Sequence, residues 1–339
     1  MSERRFDPTH GEWVTVATHR QDRTYKPPTA ACPLCPTRPG GPATEVPREH
    51  YEVAVFDNRF PSLSTAPPAP AVAGTDLVPV EPAYGHCEVV VFTDDHDATL
   101  ADVGVGRVRL LVDAWAQRFA DLAADPRVRY VLPFENKGEA VGVTLHHPHG
   151  QIYAYPDVPP RPARELAAAR AHRARTGRCV FCDVVAQESG EPAGTGPRVV
   201  VAGTHFLAGV PPWARWPYEV DVWSRTHVGT LPELDDAARA DLAAVLARVL
   251  AGYDAFFGFR TSYILGVHSA PVNGPGDEAG DEVDDAHLHL EIAPPHRGGG
   301  RLKYLAGSET SGGAFLTDVA PEQAAQRLRA AADAVEVRP

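Results

Sequence analysis

The chain has 339 residues, with 44 acidic against 32 basic side chains and a formal net charge of -12. That balance argues against a protein that neutralises a nucleic-acid backbone, and no apolar run approaches the roughly 18 residues of a membrane span. Hydrophobic residues make up 44%, enough for a sizeable core, and the length fits two domains.

The start, Met1 to Arg5, is polar and leads into no apolar signal segment. A cytoplasmic protein is therefore expected, with neither membrane nor nucleic acid as partner. The first motif is Cys32-Pro-Leu-Cys35. This spacing in a cytosolic chain reads as metal binding or redox chemistry. Pro33 within the pair and Pro36 directly after it argue against the helix start that a redox pair uses. An apolar strand from Glu88 ends at His96. Val108, Leu111, Val112, Trp115, Phe119 and Leu122 then recur at helical spacing. A strand over Arg129 to Phe134 and a second one carrying His147-Pro-His149-Gly-Gln151 complete the first half. Cys87 has no nearby cysteine and reads as a small buried hydrophobe.

Prolines 156, 159, 160 and 162 mark a linker, followed by a helix with Glu165 in its first turn. Then the order repeats. Cys179-Val-Phe-Cys182 precedes a strand from Glu219 that ends at His227. Leu242, Val245, Leu246, Val249, Leu250 and Tyr253 predict a helix, Thr261 to Val267 a strand, and His287-Leu-His289 the closing strand. Asn273 to Asp285 reads as a solvated loop, and a last helix is expected from Pro321 to Val335. The expected fold is α+β: two tandem related halves, residues 1–160 and 161–339, each an antiparallel sheet with packed helices.

Cys32, Cys35, His96 and His147 offer the two thiolates and two imidazoles of a closed, structural zinc site. By the repeat, Cys179, Cys182, His227 and His287 form a second one. His149 has a different task available. A neutral imidazole attacks phosphorus well, and its ordinary pKa near 6.5 leaves much of it neutral at pH 7. A phosphoryl-imidazole also leaves well, which suits two-step transfer through a covalent intermediate. One ring nitrogen must keep its proton and donate it, most simply to a backbone carbonyl. Gln151 can donate its amide to a phosphate oxygen as charge shifts.

The spacing His-x-His-x-Gln resembles the histidine-triad superfamily, and the longer pattern resembles the galactose-1-phosphate uridylyltransferase family. The carrying segments are His19-Arg20 with Arg23, Phe56 to Pro61, Phe92 to His96, Phe134 to Gly138 and His147 to Gln151. In the second half they are Pro211 to Pro217, His268 with Ala270-Pro271, His287 to His289 and Leu302 to Tyr304. The resemblance implies ping-pong exchange of UMP between UDP-glucose and galactose 1-phosphate, with His149 as nucleophile and Gln151 as phosphate-oxygen donor. It makes Arg20, Arg23, Asn58, Asn136 and Thr144 nucleotide- and phosphate-binding residues. It also implies a homodimer in which Lys303, Tyr304 and Glu309 reach a neighbour's site.

The alternatives are an ADP-sugar or dinucleotide phosphorylase or hydrolase of the same superfamily, and a non-catalytic zinc-stabilised nucleotide-binding protein. Three departures bear on specificity: Arg59 where the family often has an acid, Thr144 for a serine and Ser308 for a tyrosine. Some relatives hold a second metal, zinc or Fe2+, through residues matching Glu165, His268, His287 and His289. This chain carries both ligand sets, and the cysteine set is expected to take His287. With Glu291 in the place of Gln151, no catalysis is expected in the second half.

Overall fold

The computed structural model describes residues 2–22, 26–274 and 284–339. Arg23 and most of the expected acidic loop lie outside them. In the first half the strands are β1 (Ser2–Asp7), β2 (Glu12–Ala17), β3 (Ala54–Asp57), β4 (Val80–Pro82), β5 (His86–Val91), β6 (Tyr130–Lys137) and β7 (His149–Tyr155), with helix α1 (Val105–Ala123) between β5 and β6. Helices α2 (Pro160–Thr176) and α3 (Val180–Ser189) lead into β8 (Val199–Ala202), β9 (Phe206–Gly209) and β10 (Val220–Ser224). Then come α4 (Asp236–Phe257), β11 (Tyr263–His268), β12 (His289–Ala293), β13 (His296–Gly298), β14 (Arg301–Leu302), α5 (Gly307–Gly312) and α6 (Pro321–Ala334).

The two expected sheets are joined into one. Nine antiparallel strands run in the order β3-β5-β7-β6-β11-β12-β10-β9-β8. The seam is β6 against β11, with Glu135 opposite Leu265 and Asn136 opposite Ile264. A separate three-stranded sheet, β2-β1-β4, holds the N-terminus. The periodic apolar faces of α1 and α4 are buried as their spacing predicts. They pack into one cluster with Val90, Val131, Ile152, Val222, Leu265 and Leu290 from both halves. Burying such side chains contributes on the order of 1.5–3 kcal/mol each, so the core that fixes the sheet is common to both halves.

Three local expectations shift. His96 and His227 do not end strands: β5 stops at Val91 and β10 at Ser224, so both histidines sit on loops beyond. His147 precedes β7, which begins at His149; Pro148 between them has no N–H to give a ladder. Glu165 lies in the second turn of α2, because Pro160 starts that helix earlier.

Candidate active site and metal centres

β7 pairs with β5 on one side and β6 on the other, so His149 emerges from the middle of a half-sheet, opposite Val91. Its Nδ1 lies 2.8 Å from the carbonyl oxygen of His147. That ring nitrogen donates, and Nε2 keeps its lone pair. Burial lowers the pKa of His149 below the ordinary histidine value, which favours the neutral, nucleophilic form. Gly150 is required by packing: a Cβ there would lie 2.7 Å from the Phe134 carbonyl.

Gln151 follows on the same strand. Its Oε1 accepts from Asn58 Nδ2 at 3.2 Å, which leaves the amide nitrogen to donate elsewhere. Asn58 is itself fixed, its N–H on the Cys87 carbonyl at 2.8 Å and its Oδ1 accepting the Phe60 N–H at 2.9 Å. Arg20 reaches the Tyr153 hydroxyl at 3.1 Å and the Phe60 carbonyl at 3.3 Å. Arg20, Asn58, Thr144, His149 and Gln151 line one cavity of about 730 Å³, with Leu34, Phe56, Phe60 and Val89 as apolar and aromatic wall. Asn136 lines an adjoining cavity of about 840 Å³ that shares His149.

Lys303, Tyr304 and Glu309 line neither cavity. Lys303 is buried, with Nζ 3.0 Å from Glu309 Oε1 and also donating to the Leu316 carbonyl, while Tyr304 is 74% exposed. Sequence reasoning did not single out Leu34, Val89 or Glu45 as cavity residues. Leu34 and Glu45 arrive on the loop around the first cysteine pair, and no local spacing marks that route.

The two Cys/His sets assemble as the repeat predicts. The ligand atoms of Cys32, Cys35, His96 and His147 lie within 4.8 Å of one another, as do those of Cys179, Cys182, His227 and His287. The likeness extends to the supporting groups. His147 turns Nδ1 toward Cys35 at 3.5 Å and Nε2 toward the Thr93 carbonyl at 2.8 Å. His287 turns Nδ1 toward Cys179 and Cys182, each at 3.7 Å, and Nε2 toward the Ser224 carbonyl at 2.8 Å. A metal-bound imidazole is oriented in this way. Burial pushes both histidines down to about 4, keeping them neutral as ligands must be. Burial and the neighbouring Cys32 push the Cys35 thiol up to about 12. Thiols facing imidazole lone pairs, one of each pair buried, form a donor set that a thiophilic divalent cation satisfies.

The competing use of His287 disappears. With Nδ1 on the cysteines and Nε2 on Ser224, it has no nitrogen left for Glu165. Glu165, His268 and His289 form a third group of their own. His289 stands where His149 stands in the first half and makes the same bond, Nδ1 to the His287 carbonyl at 2.8 Å. Its ring, however, is stacked by Phe181 at 4.6 Å and His268 at 4.8 Å, and Arg161 from α2 covers Glu291. The space left is about 270 Å³, against about 730 Å³ beside His149.

Two copies of a strand–helix–strand–His-x-His unit on one sheet, with the second copy closed, define a protein of histidine-triad type with two linked halves. The chain matches the profile for the galactose-1-phosphate uridyl transferase N-terminal domain over residues 1–159, and that for its C-terminal domain over 167–337. It belongs to that family. Galactose-1-phosphate uridylyltransferase of Thermotoga maritima is 38% identical, the match covering 97% of this chain and 98% of that protein. The Streptomyces lividans protein of the same name is 41% identical, over 99% of this chain and 88% of the relative. A solved uridylyltransferase structure superposes with a TM-score of 0.84 at 35% identity, covering 98% of both chains. An ADP-glucose phosphorylase from Arabidopsis thaliana, at 22% identity over 97% of this chain and 98% of its own, shares the fold with a TM-score of 0.73.

Proposed function

We propose that the protein is a hexose-1-phosphate uridylyltransferase that exchanges UMP between UDP-glucose and galactose 1-phosphate by a ping-pong mechanism. The observation that carries this reading is His149, with Nδ1–H bound to the His147 carbonyl and its ring lining the cavity that Arg20, Asn58 and Gln151 share. In the first step Nε2 attacks the α-phosphorus of UDP-glucose. The bond from that phosphorus to the bridging oxygen breaks, and glucose 1-phosphate leaves with the electron pair. The proton stays on Nδ1, donated in a hydrogen bond to the His147 carbonyl, so the positive charge of the uridylyl-imidazolium is stabilised by a fixed dipole. Gln151, held by Asn58, donates to a non-bridging phosphate oxygen. In the second step a phosphate oxygen of galactose 1-phosphate attacks the same phosphorus. The P–N bond breaks, UDP-galactose leaves, and His149 is restored.

Arg20, Arg23, Asn58 and Thr144 bind the nucleotide and its phosphates in this reading, and Asn136 flanks His149 from the adjoining cavity. Arginine suits the task through its planar donor fork. Zinc, bound by Cys32, Cys35, His96 and His147, supplies a structural cross-link. The same ion fits Cys179, Cys182, His227 and His287. The halves 1–160 and 161–339 then divide the labour, the first carrying the nucleophile and the second a structural metal.

Two copies of the chain sharing active sites accord with the exposed apolar side chains around the Lys303 segment: Tyr304, Leu305 and Leu316 are 74%, 47% and 62% exposed. No described helix is long and apolar enough to cross a membrane. Five cysteines left as thiols, four of them in metal-binding spacing, accord with a cytoplasmic setting.

The test is intact-protein mass after incubation with UDP-glucose and no acceptor. A uridylyl adduct that disappears on adding galactose 1-phosphate is expected. An adenylyl adduct from ADP-glucose alone would overturn the choice of substrate.

A further inference from the structure

At the mouth of the cavity beside His149, Arg59 meets a carboxylate: its Nη1 lies 3.6 Å from Glu45 Oε1. Arg59 occupies the position where the resemblance leads one to expect an acid, so a negative group stands on this rim after all, supplied by a different loop. The backbone explains how. Asn58 Oδ1 accepts the Phe60 N–H at 2.9 Å, a side-chain-closed turn that puts Arg59 at its apex. Glu45 hangs from the first Cys-x-x-Cys loop. Its N–H donates to the Pro33 carbonyl at 2.9 Å, and the next carbonyl, of Val46, accepts from Thr37 at 3.1 Å. Glu45 is the more enclosed of the pair, 29% exposed against 70% for Arg59. Both line the main cavity and an open shelf of about 820 Å³ that continues it past Thr44 and Asp57.

The chemistry of the cavity orders a nucleotide. Leu34, Phe56 and Val89 suit the faces of a base, whereas His149 and Gln151 take the phosphate. A ribose joining the two presents its hydroxyls to the rim. There an ionised carboxylate, which only accepts, matches a cis-diol, which donates. Arg59 has no acceptor to offer a hydroxyl. It balances the charge of Glu45 from 3.6 Å away, on the cavity rim that both residues line.

Resting on the nucleotidyl-transfer reading above, we propose that Glu45 is a specificity-determining residue that accepts hydrogen bonds from the ribose hydroxyls of the nucleotide, with Arg59 as its positioning residue. The experiment compares rates of adduct formation from UDP-glucose, 2′-deoxy-UDP-glucose and CDP-glucose. It uses the zinc-loaded wild type, Glu45→Ala and Glu45→Gln, with zinc content measured alongside. The wild type is expected to prefer UDP-glucose over its 2′-deoxy analogue. Glu45→Ala should shrink that preference roughly tenfold, the worth of one hydrogen bond to a charged group. Glu45→Gln, which keeps one acceptor oxygen, should fall between.

A preference unchanged in both variants overturns the proposal, as does an equal loss on the ribose and deoxyribose donors. A shift confined to the choice between UDP- and CDP-glucose also overturns it, because Glu45 would then read the base. Failure of the parent reading looks different: the wild type itself would form no uridylyl adduct.

Discussion

At the scale of single residues, the proposed reaction rests on one imidazole and one amide, and the two should fail in different ways. His149→Ala removes the nucleophile but leaves the His147 backbone and both metal sets untouched. Intact-protein mass should show no adduct, and turnover should fall by roughly 10⁴-fold or more, with zinc content unchanged. An adduct that persists in this variant removes the central mechanism. Gln151→Ala leaves the nucleophile in place and withdraws a donor whose value grows with transition-state charge. A fall in kcat of about 10²–10³-fold is expected, with KM moved far less. A rise in KM at constant kcat would mean that Gln151 only binds. That one ring nitrogen of His149 must donate to a backbone carbonyl was legible from the chemistry; that the carbonyl is that of His147 was not. Asn58 and Gln151 were legible separately, as family matches, but the bond between them that orients Gln151 was not. Asn58 lies 93 residues away in sequence, and no spacing links them.

At the scale of elements, the loops carrying Cys32 and Cys179 are anchored by the same chemistry but serve different neighbours. The His147 carbonyl that holds His149 belongs to a ligand of the first set. The matching carbonyl of His287 holds His289, which is stacked and enclosed. Cys32→Ser should therefore lose one equivalent of zinc, lower the melting temperature and slow adduct formation. Cys182→Ser should lose one equivalent and melt earlier, with adduct formation close to wild type. Metal binding contributes folding free energy at either site, so the discriminating quantity is the rate. Equal rates in the two variants would detach the first metal from the nucleophile. Ligand types and pairing were legible in the repeat. The placement of His96 and His227 beyond the strand ends was not, because the apolar run that signals a strand does not reveal where its ladder partner stops.

At the scale of the whole molecule, the two halves meet across β6 and β11, and an ionisable group sits in that seam. Glu135 on β6 is 3% exposed and accepts a hydrogen bond from Tyr263 of β11 at 2.8 Å. Burial raises its carboxyl to about 7 against the opposing effects of Tyr263 and Lys137. The repeat made two halves legible, but not their fusion. An edge strand able to pair with the other half carries the same alternating pattern as one facing solvent, so the seam and the buried acid within it had no local signal.

The consequence for stability has a definite sign. The unfolded chain releases this proton near the ordinary carboxyl value, whereas the folded chain keeps it until about pH 7. Between those values the folded state binds more protons, and stability falls as pH rises. The loss is about 3 kcal/mol in all and is complete above pH 7. Glu135→Gln retains an acceptor for Tyr263 and removes the proton. Its melting temperature should fall less than that of the wild type between pH 5 and pH 8, so that the variant gains on the wild type toward alkaline pH. Other buried acids with raised pKa values, Glu219 among them, affect both proteins alike and cancel in the comparison. Parallel profiles would mean that Glu135 is already ionised in the folded seam, with Lys137 rather than a proton as its counter-charge.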